Sequence, residues 1–79
     1  MIKVYLGNNV DRFLANDGAG IDPNRTLKSL LDENGIDYSD APMALDGVSL
    51  RPGDLDKTFA DFGVADQCYL LSIKKLNNA

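Results

Sequence analysis

The chain has 79 residues, which is enough for one small domain that buries a modest core. Twelve acidic against eight basic residues leave a formal charge of −4, a balance that favours basic partners over nucleic-acid phosphates or an anionic membrane. The lack of histidine and the lone cysteine exclude histidine-dependent catalytic sites, disulfide frameworks and four-cysteine zinc sites. No apolar run is long enough for a transmembrane helix or a signal peptide, so we expect a cytoplasmic protein.

The first segment alternates strictly between apolar and polar positions, which predicts a half-buried strand. Ile2, Val4 and Leu6 share one face, and Lys3 and Tyr5 share the other.

A return strand is predicted next, and it is interrupted early. Residues 7–9 are Gly-Asn-Asn, which predicts a turn because both residue types tolerate a positive φ. Residues 13–15 are expected to form the return strand of a β-hairpin, and the two glycines within residues 16–20 predict a bulge or an irregular excursion. We expect Ile21 to re-enter the sheet before the helix begins.

Three leucines at i, i+3 and i+4 spacing predict a short amphipathic helix. They are Leu27, Leu30 and Leu31. The candidate N-cap residues are Thr26 first, and Asn24 or Asp22 if the helix begins earlier. Gly35 predicts the helix end, because it can adopt the left-handed conformation while Ile36 packs back on the last turn.

The second half of the chain predicts a hairpin, a short helical turn and a final strand. Asp46-Gly47 is a strong two-residue hairpin signal between apolar residues 43–45 and 48–50. Residues 56–64 predict one short helical turn, with Phe59 and Phe62 on the same side. Residues 68–73 predict the last strand, followed by a polar tail from about residue 74.

These elements predict one domain over residues 1–79 with the order β–β–α–β–β–short helix–β. The predicted fold class is α+β, a mixed four- to five-stranded sheet packed on one short helix. We expect one core beneath the helix, made of Ile2, Val4, Leu6, Leu27, Leu30, Leu45, Leu50, Phe59, Phe62 and Val64.

This element order, and several motifs within it, resemble the ubiquitin-like β-grasp family. An apolar residue, an acid, a proline and a threonine cap lead from Ile21 to Thr26, which is similar to the helix entry of ubiquitin. The helix exit at Gly35, the hairpin of residues 45–50 and the short-turn segment of residues 58–64 are similar too. The resemblance spans about residues 1–73 and implies a ubiquitin-like β-grasp fold.

Departures from ubiquitin decide what the resemblance implies for function. Ubiquitin and the related sulfur-carrier proteins end in Gly-Gly, whereas this sequence has no diglycine and ends in Leu76-Asn77-Asn78-Ala79. Conjugation and sulfur transfer of those kinds are therefore not expected. Ala44 stands where the main recognition patch of ubiquitin has an isoleucine, so ordinary ubiquitin receptors are not expected to bind. The chain resembles bacterial-type ubiquitin-like proteins without diglycine, such as the YukD-like accessories of secretion systems, and they are the nearest functional analogy.

Residues with catalytic or metal-binding chemistry have structural explanations that fit better. Cys68 lies in an apolar strand segment, where burial raises a thiol pKa and favours a packing role over a nucleophilic one. Asp54, Asp56 and Asp61 lack the ligand series of a calcium-binding loop, and turn formation or helix N-terminal charge explains them better. We therefore predict no catalytic residue, no metal site, no cofactor and no enzyme activity.

The last strand is apolar on both of its faces, and the sequence leaves its orientation open. The two faces are Cys68, Leu70 and Ser72 on one side, and Tyr69, Leu71 and Ile73 on the other. The length of the preceding loop, judged by the resemblance to ubiquitin, favours Leu70 pointing inward. The greater apolarity of the second face favours the reverse.

If Leu70 points inward, an apolar patch forms on the face of the sheet that the helix does not cover. The predicted partner-binding residues are Tyr5, Tyr69, Leu71 and Ile73, with Lys3 and Lys74 as a charged rim. On this hypothesis the chain is a non-catalytic protein–protein interaction module or small adaptor. It would bind another protein through this face, without a membrane, as a monomer or weak homodimer.

Two alternatives are kept beside this hypothesis. A nucleic-acid-binding β-grasp domain would stack bases on Tyr5 and Tyr69 and use the basic residues Lys3, Arg12, Lys74 and Lys75. The acidic balance of the chain argues against nucleic acid as the partner. The third possibility is a diglycine-independent accessory of a secretion or enzyme complex. It differs from the interaction-module hypothesis in the identity of the partner, not in the physical basis of binding.

Overall fold

The computed structural model describes residues 1–8, 10–39 and 42–73 of the chain. Within these ranges the elements are β1 (Lys3–Asn8), β2 (Arg12–Leu14), α1 (Leu27–Glu33), β3 (Met43–Leu45), β4 (Val48–Ser49) and β5 (Gln67–Ser72). The strands form one mixed sheet in the order β2-β1-β5-β3-β4, in which β1 and β5 pair in parallel and the other neighbours pair antiparallel. This is the α+β architecture that the sequence predicts.

The core lies between α1 and one face of the sheet. The helix contributes Leu27, Leu30 and Leu31, all fully buried, and the two central strands contribute alternate residues of the opposite layer. Burying each such leucine stabilises the fold by about 1.5–3 kcal/mol. The predicted core members that are buried are Ile2, Val4, Leu6, Leu27, Leu30, Leu45, Leu50 and Phe59.

Phe62 and Val64 depart from the predicted core. Both are only partly buried and pack against its margin. Phe59 is fully buried, whereas Phe62, one 3₁₀ turn later, reaches only the rim, where the ammonium of Lys57 lies 5.9 Å from its ring centroid.

The ends of α1 follow the local sequence signals. Thr26 is the N-cap, and its side-chain oxygen accepts a hydrogen bond from the Ser29 backbone N–H at 3.2 Å. Gly35 adopts the left-handed conformation with φ +70°, and the Ile36 backbone N–H then donates to the Leu31 carbonyl at 2.9 Å. The prediction of Thr26 as first choice for the cap is confirmed.

The first hairpin turns later than predicted. β1 continues through Gly7 and Asn8, so the predicted turn at residues 7–9 was wrong in its start, and Asn9 lies outside the described residues. The hairpin closes through the Asn8 backbone N–H, which donates to the Asp11 carbonyl at 2.9 Å. Gly7 is required here because its φ is +134° and a Cβ would come within 2.0 Å of the Asp11 carbonyl oxygen.

The return strand is short because the chain leaves it in a strained turn. β2 ends at Leu14, and Ala15 begins a 3₁₀ turn that runs to Gly18. Asn16 and Asp17 inside this turn have φ values of 56° and 52°, so the predicted irregular excursion is a left-handed one. Ile21 then bridges to Ile2, which confirms its predicted return to the sheet.

The remaining segments connect these elements through two further 3₁₀ turns, Pro52–Asp56 and Ala60–Phe62. The predicted polar tail from residue 74 lies outside the described residues. None of the helices in the described ranges is both long and apolar enough to cross a membrane.

Candidate docking surface on the open sheet face

The register of β5 against β1 decides which residues of the last strand point outward. Leu70 pairs with Leu6 and Tyr69 pairs with Tyr5. Leu6 and Leu70 are fully buried beneath α1, whereas both tyrosines are half-buried on the opposite side. The orientation that loop length favoured is therefore the one that the fold adopts.

The open face is the side of the sheet turned away from α1. Strand alternation and register place these residues on it: Lys3, Tyr5, Gly7, Arg12, Leu14, Ala44, Gln67, Tyr69 and Leu71, with Ile73 continuing the alternation just beyond β5. Leu14 and Leu71 are half-buried, as is Ile73, whose backbone N–H donates to the Pro42 carbonyl at 2.8 Å.

Two tyrosine rings form the centre of the open face. The ring centroids of Tyr5 and Tyr69 are 4.8 Å apart and the ring planes are 16° apart, which is a stacked arrangement. The two residues sit directly opposite each other on paired strands, so the stack follows from the register.

Arg12 extends this cluster from the edge strand. Its guanidinium carbon lies over the Tyr69 ring, 5.4 Å from the centroid, in cation–π geometry. Arg12 pairs with Gly7 on β1, and the missing side chain at Gly7 leaves the path across β1 to β5 open. The sequence pattern gave Arg12 only as a possible nucleic-acid contact, because nothing local shows that β2 and β5 flank the same strand.

The backbone of Tyr69 is also fixed from the other side of β5. Asp46 and Gly47 form the tight turn between β3 and β4 with φ values of 52° and 87°. The Tyr69 backbone N–H donates to Asp46 Oδ1 at 2.9 Å, and the Asp46 backbone N–H donates to the Tyr69 carbonyl at 2.8 Å. Both neighbours of β5 therefore hold Tyr69 in position.

Ala44 is the small residue of the face. It pairs with Leu71 and is 6% exposed, but it is not part of the core beneath the helix. Its burial therefore comes from neighbours on the open face. Because this side chain is small, the large side chains of the open face are those on β1 and β5, where the two tyrosines lie.

Two cations of the open face have no carboxylate partner among the described residues. Lys3 and Arg12 are exposed, and the ion pairs of the described chain lie elsewhere, at Arg25 with Glu33 and at Lys57 with Asp54. Lys74, the other predicted rim residue, lies outside the described residues, so its role stays a prediction.

Reactive groups outside the open face are held in structural roles. Cys68 is buried, and burial together with the nearby charge of Asp46 raises the pKa of its thiol to about 12. The Asp54 carboxylate accepts the Arg51 backbone N–H, and the Asp61 carboxylate accepts the Thr58 backbone N–H, which lowers the pKa of each. Across the described ranges, no cluster of three acidic or thiol side chains is arranged to hold a metal ion.

A concavity of about 480 Å³ lies away from the tyrosine pair. Its walls include Tyr38, Met43, Leu50, Arg51 and Leu55. The Tyr38 hydroxyl donates to Asp32 at 2.9 Å. This concavity, called the rival groove below, is a second candidate binding site. A binding experiment on the open face has to distinguish the two.

One solved structure that matches this chain is a ubiquitin-like protein from the hyperthermophilic archaeon Caldiarchaeum subterraneum. The match covers 98% of this chain and 100% of that chain, with a TM-score of 0.53 and 15% sequence identity. No protein-family model matches the sequence, and no curated protein does. The structural match shows that the chain has a ubiquitin-like β-grasp fold, which confirms the predicted fold. The bacterial type stays a prediction.

Proposed function

We propose that the protein is a non-catalytic protein-interaction module that docks a partner through the open face. The observation that carries the proposal is the stacked pair Tyr5 and Tyr69, partly exposed beside Leu71 on the side opposite the helix. Clustered aromatic and aliphatic side chains that stay accessible are typical of binding anchors. The proposal also draws on an analogy with other small ubiquitin-like modules, which bind partners through such contacts, although fold alone does not assign function.

The construction of the face supports docking without large rearrangement. Strand pairing fixes the backbone of Tyr5 and Tyr69, and Asp46 adds hydrogen bonds at Tyr69. Residues held on a rigid sheet lose little conformational freedom on binding, so more of the contact free energy becomes affinity.

Nucleic acid is the second candidate, because Arg12 and Lys3 flank two aromatic rings. Base stacking needs an uncovered ring face. The two tyrosines already cover one face of each other, and the Arg12 guanidinium lies over Tyr69. The ring area left for bases is therefore reduced, and the net charge of −4 also opposes a phosphate backbone.

Site-specific photo-crosslinking in the cells that produce the protein tests the proposal. A photoreactive amino acid replaces Leu71 on the open face or, as a matched control, Lys28 on the exposed side of α1. We expect a discrete protein adduct from position 71 that is absent from position 28. The adduct should be lost when Tyr69→Ala is added.

Equal adducts from both positions, or an adduct at position 71 that survives Tyr69→Ala, would contradict docking through the open face. A nuclease-sensitive adduct would favour the nucleic-acid alternative instead.

A further inference from the structure

We infer that the partner presents an acidic, apolar peptide segment whose carboxylates pair with Lys3 and Arg12 while its apolar side chains cover Tyr5, Tyr69 and Leu71. The inference rests on the proposed function and adds the chemistry of the partner.

The backbones of Lys3 and Arg12 lie on either side of the Tyr5 position along β1. Lys3 precedes Tyr5 by two residues on β1, and Arg12 pairs with Gly7, two residues after Tyr5. The backbone positions are thus four residues apart along β1, which is about 13 Å at the usual strand rise. A segment crossing the tyrosine pair would meet the Arg12 guanidinium over the Tyr69 ring, and Lys3 two residues before Tyr5 on β1.

The charge of the open face runs against the charge of the whole chain. The net charge of −4 by itself favours basic partners. Exposed charges separated by more than about 8 Å are largely screened at physiological salt, so the groups next to the contact decide its preference. On the β1 and β2 side of the tyrosines these groups are Lys3 and Arg12, which lack carboxylate partners among the described residues. The Asp46 carboxylate, which accepts the Tyr69 backbone N–H, lies on the β3 side of β5.

Arg12 is positioned for a carboxylate before the partner arrives. Its guanidinium carbon lies over the Tyr69 ring, and the guanidinium forms no ion pair within the described residues, so its N–H groups can donate to an incoming acid. A planar guanidinium can donate two parallel hydrogen bonds to one carboxylate, which fixes the orientation of the incoming acid. Arg12 therefore acts as a specificity residue rather than as a general source of positive charge.

Panning a random-peptide phage library on the folded full chain tests the inference. Selected peptides are synthesised, and their affinities are measured by fluorescence anisotropy for the wild type and for three variants. Arg12→Glu reverses the charge at the face, Lys28→Glu makes the same charge change on the helix, and Leu71→Ser weakens the apolar contact. Thermal melts check that each variant is folded, and Arg12→Gln replaces Arg12→Glu if the reversal unfolds the protein.

We expect the selected peptides to carry aspartate or glutamate beside an aliphatic or aromatic centre. Their affinity should fall roughly tenfold with Arg12→Glu and stay unchanged with Lys28→Glu. Leu71→Ser should weaken them as well, and added salt should weaken binding to the wild type.

The other outcomes separate this inference from the proposed function. Peptides that depend on Leu71 but show no acidic preference, or that tolerate Arg12→Glu, would overturn the inference and leave the docking function standing. Peptides that ignore Leu71 but respond to Leu55→Ala would place binding in the rival groove and contradict both. Failure to select any peptide would overturn the inference and leave the docking function to the crosslinking experiment. Displacement of the peptides by single-stranded oligouridine would favour nucleic acid as the partner and overturn the inference.

Discussion

The two faces of the sheet are made from the same strands and differ in what covers their side chains. Beneath α1, Val4, Leu6 and Leu70 are 0% exposed, and exposure on that side occurs toward the edges, at Phe13 (44%) and Val48 (67%). On the open face the two tyrosine rings stack on each other beneath Arg12 and stay partly exposed. One face therefore supplies most of the folding free energy, while the other keeps apolar area available for a partner.

The sharpest test of this comparison is the removal of a side chain from the helix-covered face. Leu30→Ala and Phe59→Ala should each lower the free energy of unfolding by about 2–5 kcal/mol, because each leaves a cavity at a fully buried position. Urea unfolding followed by circular dichroism measures the loss.

Leu71→Ala is the matched control on the open face, where the half-buried side chain should cost only about 1 kcal/mol. Because small domains hold only about 3–5 kcal/mol in reserve, the milder Ile21→Val, expected to cost about 1 kcal/mol, keeps the measurement possible if Leu30→Ala unfolds the chain. Equal losses at Leu30 and Leu71 would break the distinction between the faces.

The second test asks whether the tyrosine pair of the open face contributes to stability at all. A double-mutant cycle of Tyr5→Ala and Tyr69→Ala should give a coupling free energy of about 0.5–1.5 kcal/mol, because the rings stack directly. The control cycle pairs Tyr5→Ala with Tyr38→Ala, whose ring lies at the other groove, and should be additive. A coupling of zero between Tyr5 and Tyr69 would mean that the stack adds nothing to folding.

Cys68 tests the helix-covered face at a small buried side chain. Cys68→Ala should cost about 1 kcal/mol in packing and leave binding through the open face unchanged. The folded-state pKa of the thiol is raised from 9.0 to about 12, so its contribution to stability is complete below pH 9.0 and is lost as the pH rises toward 12. The variant should therefore lose less stability than the wild type across that alkaline range.

Native-state alkylation gives an independent reading of the same thiol. Iodoacetamide should react with Cys68 far more slowly than with a free cysteine, because little thiolate forms at neutral pH. If Cys68 in the folded protein were alkylated faster than a free cysteine, the prediction that it is a buried residue with only a packing role would be contradicted.

The smallest expected effect lies in the turns that lead from β4 to β5. The pKa values of Asp54 and Asp61 are lowered below 3.8, chiefly by the Arg51 and Thr58 backbone N–H groups that donate to them. Carboxylates with lowered folded-state pKa values stabilise the fold above pH 3.8, and this contribution is lost as the pH falls below it.

Asp54→Asn and Asp61→Asn should therefore flatten the acid side of the stability profile measured by thermal melts between pH 2 and 6. Asp17→Asn is the control, because the Asp17 carboxylate forms no hydrogen bond or ion pair within the described ranges. An unchanged acid slope in both variants would remove the role assigned to these turn carboxylates.

The sequence by itself determined the elements whose signals are local. The spacing of Leu27, Leu30 and Leu31 sets α1, because residues three and four apart share a helix face. Thr26 and Asp46-Gly47 act at their own positions, through a cap hydrogen bond and a turn that needs positive φ at both residues. The end of β1 was predicted too early, because glycine at position 7 predicts a turn, whereas in the fold it serves a position inside the strand with φ +134° beside the Asp11 carbonyl.

Only the tertiary structure decided the outward face of β5. Its two faces are both apolar, so local alternation is equally satisfied by either orientation. The choice came from the pairing of Tyr5 with Tyr69 and of Leu6 with Leu70, between the first and last strands of the chain. The contact of Arg12 on β2 with the Tyr69 ring, across Gly7, could not be predicted from the sequence either. Contacts between distant segments depend on strand order rather than on sequence spacing.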